Sequence, residues 1–144
     1  MLKKTQMKTP RLSEAVAAFP RGLKVELDNT IMMFISGTAS VGPKGESCHL
    51  GDFHGQAMHT YKNIQSLLQA QNASFKDIVK FTIYLKDMKD YDNLNKARDL
   101  FFQEIGFTRD TIPASTCVQA SLCREELLIE IEAIAMIPKT ADSV

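Results

Sequence analysis

The sequence predicts a single α+β domain, and three observations lead to this fold class. The chain has 144 residues, about the length of one average domain, and no repeat or linker rich in proline, glycine or serine interrupts it. Two segments carry apolar residues at helical spacing, while several shorter ones alternate or run apolar as β-strands do. The order of these segments favours one sheet with both helices on the same face. We therefore expect one domain over residues 1–144, with a core at about 19–136 and flexible ends.

The first half of the chain predicts two strands and a helix. Residues 23–27 and 31–35 are short apolar runs on either side of a turn at 28–29, and the second run is typical of a strand buried on both faces. From about 54 to 71, apolar residues recur every three or four positions. This spacing predicts the first helix, and Asp52 is available as its N-terminal cap.

The second half predicts a strand, a helix and two further strands. Residues 78–85 alternate apolar and polar side chains, which indicates a half-buried strand. Residues 91–105 repeat helically, and Gly106 is placed to end that helix. Residues 113–136 predict a β-hairpin that turns near 124–125, because the alternation breaks there and then resumes.

The hairpin register predicts which side chains share a face of the sheet. The face toward the helices would carry Val118, Leu127, Ile129, Ile131 and Ala133. The opposite face would carry Ser115, Cys117, Gln119, Glu130 and Glu132. A face this polar at the centre of a small domain needs a ligand or a partner, so we expect an oligomer.

The composition argues against several classes of protein. Lysine plus arginine and aspartate plus glutamate number 17 each, and a neutral chain lacks the basic surface of a nucleic-acid binder. No apolar stretch follows the N-terminal lysines, so we expect neither a signal peptide nor a membrane span, and a cytoplasmic protein. The three cysteines form no CxxC, and the three histidines lack the spacing of a helical zinc motif, so no metal is expected.

Six segments resemble the Rid (YjgF) family, in the family's order and with similar gaps. They are ISGTAS at 35–40, the helix segment at 56–64, DIVK at 77–80, the segment 90–95, the PA and CV pairs within 113–118, and EIEAIA at 130–135. The resemblance covers roughly residues 19–136, and the PA, CV and EIEAIA spacing is its most specific part.

The resemblance implies a chorismate-mutase-like, or ferredoxin-like, sheet with two helices on one face. It also implies a homotrimer around a central barrel, with small-molecule clefts between subunits. Active members hydrolyse enamine and imine intermediates to a 2-oxo acid and ammonia, and they need no metal or organic cofactor. Carried over residue by residue, the catalytic glutamate is Glu130, and the cleft is lined by Gly37, Asn95 and Cys117.

Two positions depart from the family pattern. The arginine that holds the substrate carboxylate is replaced by Ser115, and an aromatic hydroxyl on the cleft wall is replaced by Phe19. Serine cannot form two parallel charge-assisted hydrogen bonds, and losing one partner of such a buried pair costs about 2–5 kcal/mol. We expect weak or absent deamination of amino-acid-derived imines, unless Lys80 or Arg124 from this or a neighbouring chain supplies the positive charge.

Three functional hypotheses remain open at this stage. The first is a hydrolase of an enamine, imine or enol-type substrate that uses Glu130 and a water molecule. The second is a non-catalytic Rid protein that binds a metabolite or protein partner and uses the cleft for regulation. For Glu130 an ion pair across a subunit interface remains an alternative to catalysis, and for Cys117 a place in the cleft wall is an alternative to a nucleophile. The third is an endoribonuclease or translation inhibitor, as the family is often labelled. The Cys123-Arg124 turn also resembles the carboxy-terminal part of the chorismatases, which suggests a subgroup and not a shared substrate.

Overall fold

The computed structural model describes residues 1–15 and 17–140, and the far end of the expected C-terminal tail, 141–144, lies outside them. These residues form one six-stranded sheet and two α-helices, which confirms the α+β class. The strands are β1 (Lys3–Met7), β2 (Gly22–Glu26), β3 (Thr30–Thr38), β4 (Ile78–Leu85), β5 (Ala114–Gln119) and β6 (Ile129–Pro138). The helices are α1 (Phe53–Gln69) and α2 (Tyr91–Ile105).

Both helices form where the sequence predicts them. Asp52 caps α1 by accepting a hydrogen bond from the Gly55 amide at 3.0 Å, and Gly106 ends α2 with a left-handed φ of 84°. The two helices meet through aromatic side chains, since the rings of Tyr61 and Phe101 stack with centroids 5.1 Å apart. The apolar residues of both helices belong to the same buried cluster as alternate residues of β3, β4 and β6. Both helices therefore cover one face of the sheet.

The sheet order is β1-β2-β3-β6-β4-β5, and the predicted hairpin of β5 and β6 is wrong. β6 lies between β3 and β4 and is antiparallel to both, whereas β5 pairs in parallel with β4 at the edge. A parallel pair needs a crossover connection, which α2 supplies between β4 and β5. β6 is ten residues long and largely apolar on its inner face, and a central position satisfies its hydrogen bonds on both sides.

This topology also overturns the expected polar face. Cys117 pairs with Ile83 of β4 and packs against the apolar cluster, so the side chains of Ser115, Cys117 and Gln119 point to the helix side. Glu130 pairs with Tyr84, and it lies with Glu132 on the opposite side. Val118, expected beneath the helices, is 42% exposed on that opposite side.

No segment that the structure describes covers the face of the sheet opposite the helices, and this uncovered face is partly apolar. Phe34 is 40% exposed and Met136 is 39% exposed, and both lie on this face. Exposed apolar patches of this kind mark interaction surfaces in water-soluble domains. No helix in the described part of the chain has the length and apolarity needed to cross a membrane.

The strand β1 pairs antiparallel with β2 at the other edge of the sheet. Its sequence, KKTQM, does not predict a strand, because only its last residue is apolar and buried. Pairing with β2 determines its conformation.

Candidate functional site

On the uncovered face of the sheet, the side chain of Glu130 lies against the backbone of Gly37. The pairing of β3 with β6 is irregular between Ile35 and Thr38, and Gly37 lies within that irregularity. A Cβ atom at Gly37 would lie 3.0 Å from Cδ of Glu130 and closer still to its Oε1. Glycine is therefore required at this position for the Glu130 carboxyl group to lie where it does.

The surroundings of Glu130 favour its neutral form. Burial is the main cause that raises the pKa of the Glu130 carboxyl, and the nearby Glu132 carboxylate raises it further. Glu132 is held by the Tyr84 hydroxyl, which donates a hydrogen bond of 2.5 Å to its Oε1. That bond raises the pKa of Tyr84. A carboxyl group with a raised pKa takes up and returns a proton closer to neutral pH than an ordinary glutamate does.

Glu130 forms part of the wall of a cleft with a volume of about 490 Å3, which we call the Glu130 cleft. Its walls include Phe19, Arg21, Gly37, Lys44, Arg124 and Glu130. Four of the seven predicted site residues therefore meet in one chain. The volume lies within the range of roughly 300–1,000 Å3 that is typical of small-molecule sites.

Sequence reasoning missed Arg21 as a residue of this cleft. It directly precedes β2, and its Nε donates a hydrogen bond of 2.8 Å to the carbonyl of Ser13. The available signal was its position two residues after Phe19, which the sequence already placed on the cleft wall.

The other three predicted residues lie on the helix side of the sheet. Asn95 Oδ1 accepts a hydrogen bond of 2.5 Å from Arg98, and Ser115 and Arg98 line a separate groove of about 300 Å3. Cys117 is half-buried, and burial raises the pKa of its thiol despite the nearby Arg98 guanidinium. A raised thiol pKa disfavours the thiolate and so argues against a nucleophilic role. One chain does not bring Asn95, Ser115 or Cys117 to Glu130.

The two candidate replacements for the missing charge are placed differently. Arg124 lines the Glu130 cleft. Lys80 donates a hydrogen bond of 2.7 Å to Thr116 Oγ1, four residues along β4 from Tyr84, which pairs with Glu130. At strand rise this offset is roughly 13 Å, so within its own chain Lys80 does not contribute to the cleft.

In residues 1–15 and 17–140, no group of three or more histidine, cysteine or acidic side chains is arranged to hold a metal ion. The Glu130 cleft instead offers the half-buried Glu130 carboxyl, the exposed Glu14 carboxylate, two guanidinium groups, the Lys44 ammonium and apolar walls. Such a set can bind a small organic molecule and exchange protons with it.

The protein is an α+β domain that carries a cleft of small-molecule size on a six-stranded sheet. The chain belongs to the Rid (YjgF) family, because the family model described as Endoribonuclease L-PSP matches residues 13–137.

Relatives and solved structures agree with this assignment. The chain is 36% identical over 103 residues to a RutC family protein of Pyrococcus horikoshii, covering 72% of this chain and 77% of the relative. It is 32% identical over 128 residues to the 2-iminobutanoate/2-iminopropanoate deaminase of Escherichia coli, covering 89% and 94%. The crystal structure of E. coli TdcF with bound serine superposes with a TM-score of 0.77 at 31% identity, covering 91% of this chain and 97% of that one.

Proposed function

We propose that this protein hydrolyses the C=N bond of a small imine, or of an enamine after tautomerisation, in the Glu130 cleft. The observation that carries the proposal is the half-buried Glu130 carboxyl with a raised pKa, lying across Gly37 at the wall of a ligand-sized cavity. The names of the deaminases to which the chain is similar support the same chemistry.

Hydrolysis needs one group that moves a proton twice. The Glu130 carboxylate takes a proton from water while the water oxygen attacks the imine carbon. The protonated carboxyl passes that proton to the imine nitrogen, which gives a neutral carbinolamine. The carboxylate then takes the hydroxyl proton of the carbinolamine and returns it to the nitrogen, so the C–N bond breaks and ammonia leaves as the carbonyl forms. The balance is one imine and one water consumed for one carbonyl compound and one ammonia. General acid–base catalysis of this kind contributes about 10²–10⁴-fold in rate.

A homotrimer is part of this proposal. The exposed Phe34 and Met136 need a cover, and an assembly through the uncovered face would provide it. Because Ser115 and Cys117 lie on the exposed edge strand β5, a neighbouring chain could bring them to the Glu130 cleft. A cleft between subunits would then join the two separated groups of predicted residues.

The test is ammonia release from freshly generated 2-iminopropanoate and from a bulkier imino acid. Glu130→Gln should reduce turnover at least a hundredfold, because the amide cannot accept the water proton. Glu104→Gln is the matched control, since Glu104 is an exposed glutamate on α2 and should leave turnover unchanged. Equal turnover in the native protein and in Glu130→Gln would contradict the proposal.

Ser115 supports a second candidate, a non-catalytic protein that binds a metabolite for regulation. Its side chain offers no positive charge for a carboxylate, and Phe19 offers no hydroxyl. In that case the native protein would release no ammonia, and Glu130→Gln would leave ligand affinity intact. A ribonuclease role has only the description of the family model behind it, and it predicts RNA binding that weakens steeply with salt.

A further inference from the structure

Two arginines lie close together in the Glu130 cleft. Arg21 reaches it from the start of β2, and Arg124 reaches it from the loop between β5 and β6. Burial is the main cause that lowers the pKa of Arg21, and the Arg124 guanidinium lowers it further. Two like charges in a partly buried cleft raise the free energy of the empty site, and an anion bound between them removes that repulsion.

Neutral groups orient both guanidinium groups. Arg21 donates to the Ser13 carbonyl at 2.8 Å, and Arg124 donates to the Gly45 carbonyl at 2.8 Å and to Ser47 Oγ at 3.0 Å. The Ser47 hydroxyl in turn donates a hydrogen bond of 2.8 Å to the Glu126 carboxylate. Glu126 is therefore linked to Arg124 through Ser47 and lies near its positive charge. Neither arginine takes part in a salt bridge with any residue that the structure describes.

We propose that Arg21 and Arg124 bind the carboxylate of the substrate, in the role that Ser115 cannot perform. Together with the apolar walls of the cleft, this carboxylate site would select 2-imino acids with large apolar side chains. The inference rests on the proposed hydrolysis only for the identity of the reacting group, and the binding itself is independent of turnover.

The walls of the cleft argue for the apolar side chain. Ala39, Val41 and Leu127 are buried beside it, and the exposed ring of Phe19 lies on its rim. The cleft of one chain, about 490 Å3, is within the range of cavities that enclose drug-sized ligands, so it has room for a side chain larger than that of 2-iminopropanoate. Apolar surface buried against these walls adds affinity in proportion to its area.

The positive and negative groups of the cleft would bind different ends of the ligand, the arginines its carboxylate and Glu130 its C=N group. Neither guanidinium group forms a salt bridge with the Glu130 carboxyl in the part of the chain that the structure describes, and burial raises the pKa of that carboxyl. A 2-imino acid whose carboxylate is bound by the arginines can therefore present its C=N carbon to Glu130. The guanidinium groups stay positively charged, and the Glu130 carboxyl remains free to exchange a proton. The rival cations are Lys44, which lines the same cleft, and Arg98, which lies in the Ser115 groove on the helix side.

The experiment measures binding of an unreactive analogue by titration calorimetry. The probe is 4-methyl-2-oxopentanoate, which carries a carbonyl oxygen in place of the imine nitrogen, and its uncharged match is 4-methyl-2-oxopentanamide. The native protein should bind the acid at least tenfold more tightly than the amide. Arg21→Gln and Arg124→Gln should each raise the Kd of the acid at least tenfold and leave that of the amide unchanged.

Arg109→Gln is the matched control, because Arg109 is exposed in the loop after α2 and should leave both Kd values as in the native protein. The inference is overturned if the acid shows no saturable binding to the native protein. It is also overturned if neither cleft variant changes the Kd of the acid, or if the loss is confined to Lys44→Gln or Arg98→Gln.

The two arginines also hold loops, so their glutamine variants need a check on folding. If either variant is unfolded by thermal melting, Arg21→Lys and Arg124→Lys replace them. An ammonium group keeps the charge but loses the planar fork, so the preference for acid over amide should fall. If both lysine variants prefer the acid over the amide as strongly as the native protein does, the inference is overturned.

Glu130→Gln distinguishes this inference from the proposed hydrolysis. It should abolish turnover and leave the Kd of the acid unchanged. If the arginine variants weaken acid binding while the native protein shows no turnover, the hydrolysis proposal fails and the carboxylate site stands. If turnover depends on Glu130 but the Kd does not depend on either arginine, the carboxylate site fails and the hydrolysis stands.

Discussion

The close approach of Glu130 to Gly37 predicts a large and separable effect of Gly37→Ala. The added methyl group would lie 3.0 Å from Cδ of Glu130 and nearer to Oε1, so the carboxyl group has to move away from β3. Overpacking of a well-packed core costs about 1–3 kcal/mol of the free energy of unfolding, and we expect the lower end of that range because the end of the Glu130 side chain can turn into the cleft. The loss of rotational freedom in the unfolded chain offsets about 0.4–1 kcal/mol of that cost.

A double-mutant cycle isolates the clash from the backbone effect. Gly37→Ala is introduced into the native protein and into Glu130→Ala, and the free energy of unfolding is measured in urea for all four proteins. The unfolded-state contribution of the alanine is the same in both backgrounds and cancels. In Glu130→Ala the added methyl group has no carboxyl to displace, so Gly37→Ala should cost at least ~1 kcal/mol less there.

Turnover provides the second measurement on the same variant. If Glu130 moves the proton, displacing it should reduce ammonia release toward the level of Glu130→Gln, a loss of about 10²-fold or more. An equal cost of Gly37→Ala in both backgrounds would refute the contact between these two residues. An undiminished turnover in a folded Gly37→Ala protein would refute the requirement for the carboxyl position.

Two further predictions concern pH and assembly. The pKa of Glu130 is raised in the folded protein, so its contribution to stability is present at low pH and is lost as the pH rises through the folded pKa. Glu130→Gln should therefore be more stable than the native protein at pH 8 but not at pH 4 in urea unfolding, and the opposite order would contradict the pKa shift. Phe34→Lys should lower the mass measured by light scattering from a trimer toward the 16.1 kDa chain, whereas Leu100→Lys on α2 should not. A native protein that is already monomeric would remove the intersubunit part of the proposed cleft.

Much of the local structure could be predicted from the sequence. The apolar spacing places α1 at about 54–71, against Phe53–Gln69 in the structure, and α2 at the observed Tyr91–Ile105. The alternation over 78–85 likewise matches β4. These elements depend on which face of a short segment is apolar, and that information is local to the segment.

The resemblance placed Phe19, Gly37 and Glu130 in one cleft, and Arg124 was added as a candidate source of the missing positive charge. The motif positions of Gly37 and Glu130 and the positions of Phe19 and Arg124 all fall at the Glu130 cleft. Arg21 belongs to no motif, and its role depends on Arg124, which lies far along the chain. A pair of charges brought together by the fold leaves no signal in the spacing of either segment.

The sequence by itself determined the α+β class, the helices and the chemical nature of the candidate acid–base residue. Only the tertiary structure decided that β6 lies between β3 and β4, which places Ser115 and Cys117 on the opposite side of the sheet from Glu130. The physical reason is that alternation specifies the two faces of a strand but not its neighbours. Strand order follows from the crossover through α2 and from the burial of β6 on both edges, and both depend on the whole chain.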